Sequence, residues 1–142
     1  MSTALRLALV ATLAVTVSAC GGGNDTPTSP TVNVGFQITD IRVGTGADAT
    51  NGRTVTVAYV GWLYSTSAAE NKGTRFDGGV ISFQLGAGRV IKGWDQGILG
   101  MKVGGQRRLV IPPDLAYGST GAGGVIPPNA TLVFDVELQA VQ

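Results

Sequence analysis

The 142-residue sequence contains no histidine, one cysteine and few charges, since Asp, Glu, Lys and Arg make up only 13% of it. The absence of histidine excludes serine–histidine and cysteine–histidine catalysis and histidine-ligated metal sites. The single cysteine, Cys20, excludes an intrachain disulfide and a cysteine-rich zinc site. No metal-ligand cluster or phosphate-binding glycine loop is present, and the sequence suggests no cofactor.

The charges are balanced as well as sparse. There are 10 basic and 9 acidic residues. If residues 1–19 are removed, Arg6 is lost and the two signs become equal in number. A net charge near zero provides no electrostatic footprint for nucleic acid, so we predict no nucleic-acid partner.

The N-terminal segment resembles an export signal. Arg6 is the only charge before an apolar run, Leu7–Val17, which has the length of a signal-peptide core but is short for a membrane span. The sequence Val17-Ser18-Ala19-Cys20 resembles a bacterial lipobox. Residues 1–19 are therefore predicted to be a lipoprotein-type signal peptide. An ordinary secretory signal and an uncleaved anchor are the alternatives.

The lipobox implies that Cys20 carries the lipid. Residues 20–34 are rich in glycine, threonine and proline, and are predicted to form a flexible tether. We expect an exported protein, anchored by its lipid to a bacterial membrane on the periplasmic or cell-surface side.

Residues 35–142 have the pattern of one α+β domain. Many of the 22 glycines lie in short turns between β-rich segments, as in an antiparallel sheet. The predicted strands are Phe36–Val43, Thr54–Leu63, Arg75–Asp77, Ile81–Leu85, Gln106–Ile111 and Leu132–Leu138. Alternation places Val55, Val57 and Tyr59 on one face of the second strand, and it turns Leu132, Phe134, Val136 and Leu138 inward on the last. We interpret Tyr64–Thr74 as a surface loop. Five or six antiparallel strands are expected, with one short helix covering one face.

The predicted helix lies between Val90 and Met101, where Trp94, Ile98 and Met101 recur at helical spacing. Gly104-Gly105 is expected to end it. Three glycines within this stretch each cost roughly 1 kcal/mol relative to alanine, so packing on the sheet has to stabilise the helix.

An ordered set of short motifs between residues 53 and 139 closely resembles the FKBP-type peptidyl-prolyl cis–trans isomerases. The motifs are Tyr59-Val60-Gly61, Arg75-Phe76-Asp77, Val90-Ile91-Lys92-Gly93-Trp94, Ala116-Tyr117-Gly118, Ile126-Pro127-Pro128 and Thr131–Glu137. The resemblance implies a twisted antiparallel sheet wrapped around one short helix, with an apolar active-site hollow between them. It implies an isomerase of X–Pro bonds that binds proline-containing polypeptides and macrolides such as rapamycin and tacrolimus.

The same resemblance implies the site residues. The catalytic set is Phe76, Asp77, Trp94 and Tyr117, and the substrate-binding set is Tyr59, Ile81, Phe83, Val90, Ile91, Val125, Ile126 and Phe134. Trp94 is expected to form the floor, and the Ile91 N–H and the Tyr117 hydroxyl to bind peptide carbonyl groups. Asp77 is expected to contact either Tyr59 or the imide carbonyl carbon.

The residues themselves also allow a simpler interpretation. Without the resemblance, Trp94, Phe83 and Phe134 are ordinary core residues, and Asp77 before Gly78-Gly79 is a turn residue. A proline-peptide binding module or chaperone without turnover, and a structural surface protein, are alternatives to the enzyme.

The chain departs from the family's pattern at several positions, including the following two. Ile81 stands where many members have phenylalanine, and Arg89 replaces an acid that is common just before the Val90-Ile91 pair. Both are expected to change macrolide affinity and the preference for the residue before proline.

Overall fold

A computed structural model describes residues 34–142, so the predictions for residues 1–33, including Cys20, lie outside the described residues. The described chain forms an antiparallel sheet and one short α-helix. The strands are β1 (Gln37–Arg42), β2 (Thr54–Tyr64), β3 (Lys72–Gln84), β4 (Gln106–Ile111) and β5 (Leu132–Val141), and the helix is α1 (Lys92–Gly97). Short 3₁₀ turns cover Ala69–Asn71 and Pro113–Leu115. The predicted α+β class is confirmed, with five strands.

The strands follow the order β1-β4-β5-β2-β3, and every neighbouring pair is antiparallel. Period-two alternation assigns their faces. On β2, Val55 and Val57 are fully buried, as predicted. On β5, Leu132, Phe134, Val136 and Leu138 are buried, also as predicted. These inward side chains pack against α1 and form the core.

The prediction of two separate strands around Asp77 is wrong. β3 is continuous for 13 residues. Gly78 and Gly79 pair with Val60 and Tyr59 of β2, so the ladder passes through the glycine pair instead of turning there. A Cβ at Gly78 would lie 2.5 Å from a guanidinium nitrogen of Arg75, so that side chain would have to move to admit any other residue there. The predicted loop is correspondingly shorter, because β3 already begins at Lys72.

The helix is also shorter than predicted. It spans 6 residues and does not extend to Gly104-Gly105. Gly100, at a φ of 81°, adopts the left-handed conformation just beyond its end. Ile98 and Met101 are buried as expected, but they lie in the following turn rather than on the helix.

Two glycines allow α1 to approach the sheet closely. A Cβ at Gly93 would lie 2.5 Å from the Ile111 side chain, and a Cβ at Gly97 would lie 2.6 Å from that of Leu109. Close packing on β4 therefore offsets the low helix propensity of these glycines, in agreement with the expectation that the sheet has to stabilise the helix.

The outer face of the sheet carries a charge cluster composed of Glu70, Lys72, Arg108 and Asp135. Asp135 accepts hydrogen bonds from Lys72 Nζ at 2.7 Å and from Arg108 Nε at 2.7 Å. Both cations also contact Glu70, at 3.0 and 2.9 Å. Lys72 Nζ further lies 4.5 Å from the centre of the Trp62 ring.

Candidate functional site

A cavity of about 260 Å³ opens where α1 meets the concave face of the sheet. Its walls are mainly aromatic and aliphatic, with one carboxylate, two phenols and one guanidinium. The lining residues are Tyr59, Phe76, Asp77, Ile81, Arg89, Val90, Ile91, Trp94, Tyr117 and Phe134.

Trp94 occupies the centre of an aromatic cluster and is only 5% exposed. Its ring centre lies 5.0 Å from that of Tyr59 and 5.3 Å from that of Phe134, with interplanar angles of 75° and 84°. These are edge-to-face contacts, which orient rings as well as burying them. The indole is therefore held between α1 and the sheet at a defined angle.

Phe76 and Phe134 form a second wall, with ring centres 5.6 Å apart at 88°. Gly61, which pairs with Asp77 on one side and with Phe134 on the other, lies beside this wall. A Cβ at Gly61 would lie 2.7 Å from both phenylalanine rings. Gly61 closes the Tyr59-Val60-Gly61 motif, which by itself does not indicate what the glycine does. Its role is to leave room for the two rings.

Asp77 contacts Tyr59, the first of the two expected alternatives. The Tyr59 hydroxyl donates to Asp77 Oδ2 at 2.9 Å, and the Gly78 N–H donates to Oδ1 at 2.8 Å. Burial raises the pKa of Tyr59, and its hydrogen bond to Asp77 and the negative charge there raise it further. Tyr59 therefore remains a hydrogen-bond donor at neutral pH.

Tyr117 is 40% exposed at the cavity mouth. Burial, followed by the negative charge of Asp77, raises the pKa of Tyr117. Its hydroxyl forms no hydrogen bond within residues 34–142, and it is protonated at neutral pH. It is available to donate to a carbonyl oxygen.

Ile91 lies at the N-terminal boundary of α1. Its carbonyl accepts the Trp94 N–H at 3.0 Å, whereas its own N–H has no acceptor among the described residues. Asp95 fixes the segment just before it, accepting the Gly86 and Gly88 N–H groups at 2.9 and 3.2 Å. Sequence reasoning missed Asp95. An acid in the first turn of the helix was the only available signal.

Three predicted substrate-binding residues do not line the cavity. Phe83 is 7% exposed and lies behind Trp94, with ring centres 5.9 Å apart. Ile126 is 6% exposed within the core cluster, and Val125 is 57% exposed. Arg89, one of the departures from the family's pattern, does line the cavity.

Within residues 34–142 no helix combines the length and the apolar character needed to cross a bilayer. The same residues contain no group of three or more His, Cys, Asp or Glu side chains placed to hold a metal ion.

Comparison with known proteins identifies the architecture. Residues 46–139 match the family model described as FKBP-type peptidyl-prolyl cis-trans isomerase. An FK506-binding protein of Neisseria meningitidis serogroup B is 50% identical over 112 residues, which cover 75% of this chain and 96% of that protein.

Solved structures give the same result. The crystal structure of AtFKBP13 superposes with a TM-score of 0.65 at 39% identity, covering 75% of this chain and 93% of that one. A peptidyl-prolyl cis-trans isomerase from Pseudomonas syringae pv. tomato superposes with a TM-score of 0.64 at 38% identity, covering 75% of each chain.

Proposed function

Since this chain belongs to the FKBP-type peptidyl-prolyl cis–trans isomerase family, we propose that its cavity accelerates X–Pro bond rotation by removing water from the imide and binding its twisted form. The observation that carries this mechanism is the aromatic enclosure of Trp94, with Tyr59 and Phe134 in edge-to-face contact with the indole. The floor is an indole packed among aromatic rings, its buried Nε1 has no hydrogen-bond partner in residues 34–142, and the other polar groups lie around it.

The chemistry requires no nucleophile. Resonance holds the amide planar with a barrier of ~18–20 kcal/mol, and uncatalysed exchange at X–Pro bonds takes tens to hundreds of seconds. Twisting removes the resonance, so the carbonyl oxygen loses part of its negative charge. Water stabilises the more polar planar form. An apolar cavity therefore favours the twisted form, and this differential binding lowers the barrier.

Two donors orient the substrate. The Ile91 N–H and the Tyr117 hydroxyl are both free to bind carbonyl oxygens of the peptide. Fixing the chain on both sides of the proline ring positions the imide over Trp94. Asp77 acts through Tyr59, because their hydrogen bond holds the phenol in its edge-to-face contact with the indole.

The ligands and clients follow from the same cavity. We propose that it binds proline-containing polypeptides and macrolides such as rapamycin and tacrolimus, in line with the name of the Neisseria relative. The clients are exported or surface proteins, because we propose that the chain is a lipoprotein anchored through Cys20 to a bacterial membrane. The apolar run before the lone cysteine supports the anchor.

An isomerisation assay on a leucyl-prolyl peptide tests the mechanism. We expect the wild-type protein to accelerate exchange and rapamycin to block it, and Asp77→Val and Tyr117→Phe to reduce turnover while circular dichroism remains unchanged. A folded wild-type protein that binds the peptide without accelerating exchange would instead identify a binding module.

The anchor has a separate test. Expression in bacteria with a labelled fatty acid should label the wild-type chain and retain it in the membrane fraction. Cys20→Ser should abolish both results. Label on the Cys20→Ser variant would refute lipidation at this residue.

A further inference from the structure

The cations of the described chain fall into two groups. Arg42, Lys72, Lys102, Arg107 and Arg108 each contact a carboxylate within 4.0 Å. Arg53, Arg75, Arg89 and Lys92 contact no carboxylate of residues 34–142 at that distance. Of these four, only Arg89 lines the cavity.

The segment that carries Arg89 is held in place. Asp95 accepts the N–H groups of Gly86 and Gly88, so the turn directly before Arg89 is fixed to α1. Val90 and Ile91, directly after it, line the cavity with it. Arg89 is therefore an exposed residue that lines the cavity on a fixed segment, two positions before the free Ile91 N–H.

The carboxylate at the cavity does not neutralise Arg89. Asp77 is the only acid in the lining, and its two oxygens accept hydrogen bonds from Tyr59 and Gly78. No nitrogen of Arg89 lies within 4.0 Å of it. The acid nearest in sequence, Asp95, accepts the Gly86 and Gly88 N–H groups and likewise makes no ion pair with Arg89.

We propose that Arg89 is a specificity-determining residue that favours peptides with an acidic residue adjacent to the proline. This inference rests on the proposed isomerase function. A guanidinium binds a carboxylate through two parallel N–H donors, and beside an apolar wall that contact is less hydrated than on an open surface. An exposed ion pair of this kind corresponds to a roughly two- to fivefold preference.

The test compares peptides that differ only in charge. Isomerisation by the wild-type protein is measured on Glu-Pro against Gln-Pro peptides and on Pro-Glu against Pro-Gln peptides. We expect kcat/KM for the glutamate peptide to exceed that for the glutamine peptide roughly two- to fivefold in at least one pair, and NaCl to reduce the ratio. Arg89→Gln should bring the ratio to about one, and Arg89→Glu should invert it.

Arg53→Gln is the matched control, because it removes an unpaired arginine that does not line the cavity. Its ratio should equal that of the wild type. A wild-type ratio near one, or a ratio unchanged by Arg89→Gln, overturns the inference while leaving the isomerase intact. A preference removed by Arg75→Gln or Lys92→Gln but not by Arg89→Gln overturns the assignment to Arg89. A protein that accelerates none of the peptides refutes the proposed function itself.

Discussion

The two faces of the sheet use polar groups in opposite ways. The outer face gathers the charge cluster of Glu70, Lys72, Arg108 and Asp135, in which every member has at least two charged partners. The concave face has one carboxylate, satisfied by neutral donors, among aromatic rings. Charges that bind one another strengthen the fold but are unavailable to a ligand. The concave face keeps its Ile91 and Tyr117 donors free instead.

The protonation behaviour follows the same division. Burial favours the neutral form of the Asp135 carboxyl, but hydrogen bonds and charge from Arg108 and Lys72 outweigh it, so the pKa of Asp135 is lowered. In the cavity, burial raises the pKa of both tyrosines. The outer face is therefore built around paired ions, whereas the cavity combines protonated tyrosines with charges that form no ion pair within residues 34–142, those of Asp77 and Arg89.

Trp94→Ala is expected to have the largest effect and to lower both stability and activity. Trp94 is both the floor of the cavity and a buried core residue. We expect the free energy of unfolding to fall by about 3–5 kcal/mol. Activity per folded molecule should fall more than about tenfold, since losing the indole surface removes over 1.4 kcal/mol of transition-state binding. Urea unfolding and the isomerisation assay measure the two effects.

Leu138→Ala is the control for Trp94→Ala, because Leu138 is fully buried on β5 and does not line the cavity. It should lose about 2–5 kcal/mol of stability and retain its activity per folded molecule. An equal loss of activity in both variants would show that general loosening of the core, rather than loss of the floor, explains the Trp94 result.

Asp135→Asn should affect stability alone. The Asp135 side chain is 13% exposed, and neutralising it leaves Lys72 and Arg108 with only the exposed Glu70 as a carboxylate partner among the described residues. We expect the free energy of unfolding to fall by about 2–3 kcal/mol, which is less than the cost of breaking a fully buried ion pair. Glu70→Gln, at the exposed side of the same cluster, should cost less than about 1 kcal/mol. A reduced kcat/KM in either variant would contradict the separation of the two faces.

Tyr117→Phe should affect activity alone. The variant loses one hydrogen bond to a substrate carbonyl oxygen, and such a bond contributes a net free energy of about 0.5–1.5 kcal/mol. Its loss should lower kcat/KM about two- to twelvefold. Stability should change by less than about 0.5 kcal/mol, because the hydroxyl has no partner within residues 34–142. A large drop in the unfolding midpoint would show that the hydroxyl has a structural role.

The smallest expected effect is on the pH dependence of the free energy of unfolding. The outer face should contribute to it in acid, and the cavity tyrosines in alkali. The lowered pKa of Asp135 gives stability that is present above its unfolded value, about 3.9, and lost as the pH falls through the folded pKa. The wild-type advantage over Asp135→Asn should therefore shrink in acid. The raised tyrosine pKa values act in the opposite direction, so their contribution is present below about pH 10 and lost above it. Urea unfolding across the pH range measures both.

Sequence periodicity was sufficient for the central strands. Alternation on β2 and β5 predicted which side chains are buried, because a one-residue shift would have exposed all of them. It failed at Gly78-Gly79, since glycine is compatible with both a turn and an extended ladder, and pairing with β2 decides between them. Periodicity also predicted too long a helix. Ile98 and Met101 are buried at near-helical spacing, but they lie in the turn that follows α1.

The site was predictable only through the ordered motifs. Most of the residues they imply do line the cavity, whereas Phe83, Val125 and Ile126 do not, because motifs carry no information on burial depth or side-chain direction. The charge cluster could not be predicted. Lys72 and Asp135 are 63 positions apart in sequence, and only the sheet order brings them together.

The sheet order also determines when the cavity can exist as the polypeptide is synthesised. β5 is central in the sheet, between β4 and β2, although it is the last of the five strands to be made. Before it emerges, the chain can form only a β2–β3 hairpin and a β1–β4 pair, and two-stranded units of this kind are at best marginally stable in water. Phe134 arrives with β5, so the same strand joins the two halves and completes the aromatic wall. A nascent chain that stops short of β5 should therefore have neither a stable sheet nor a cavity.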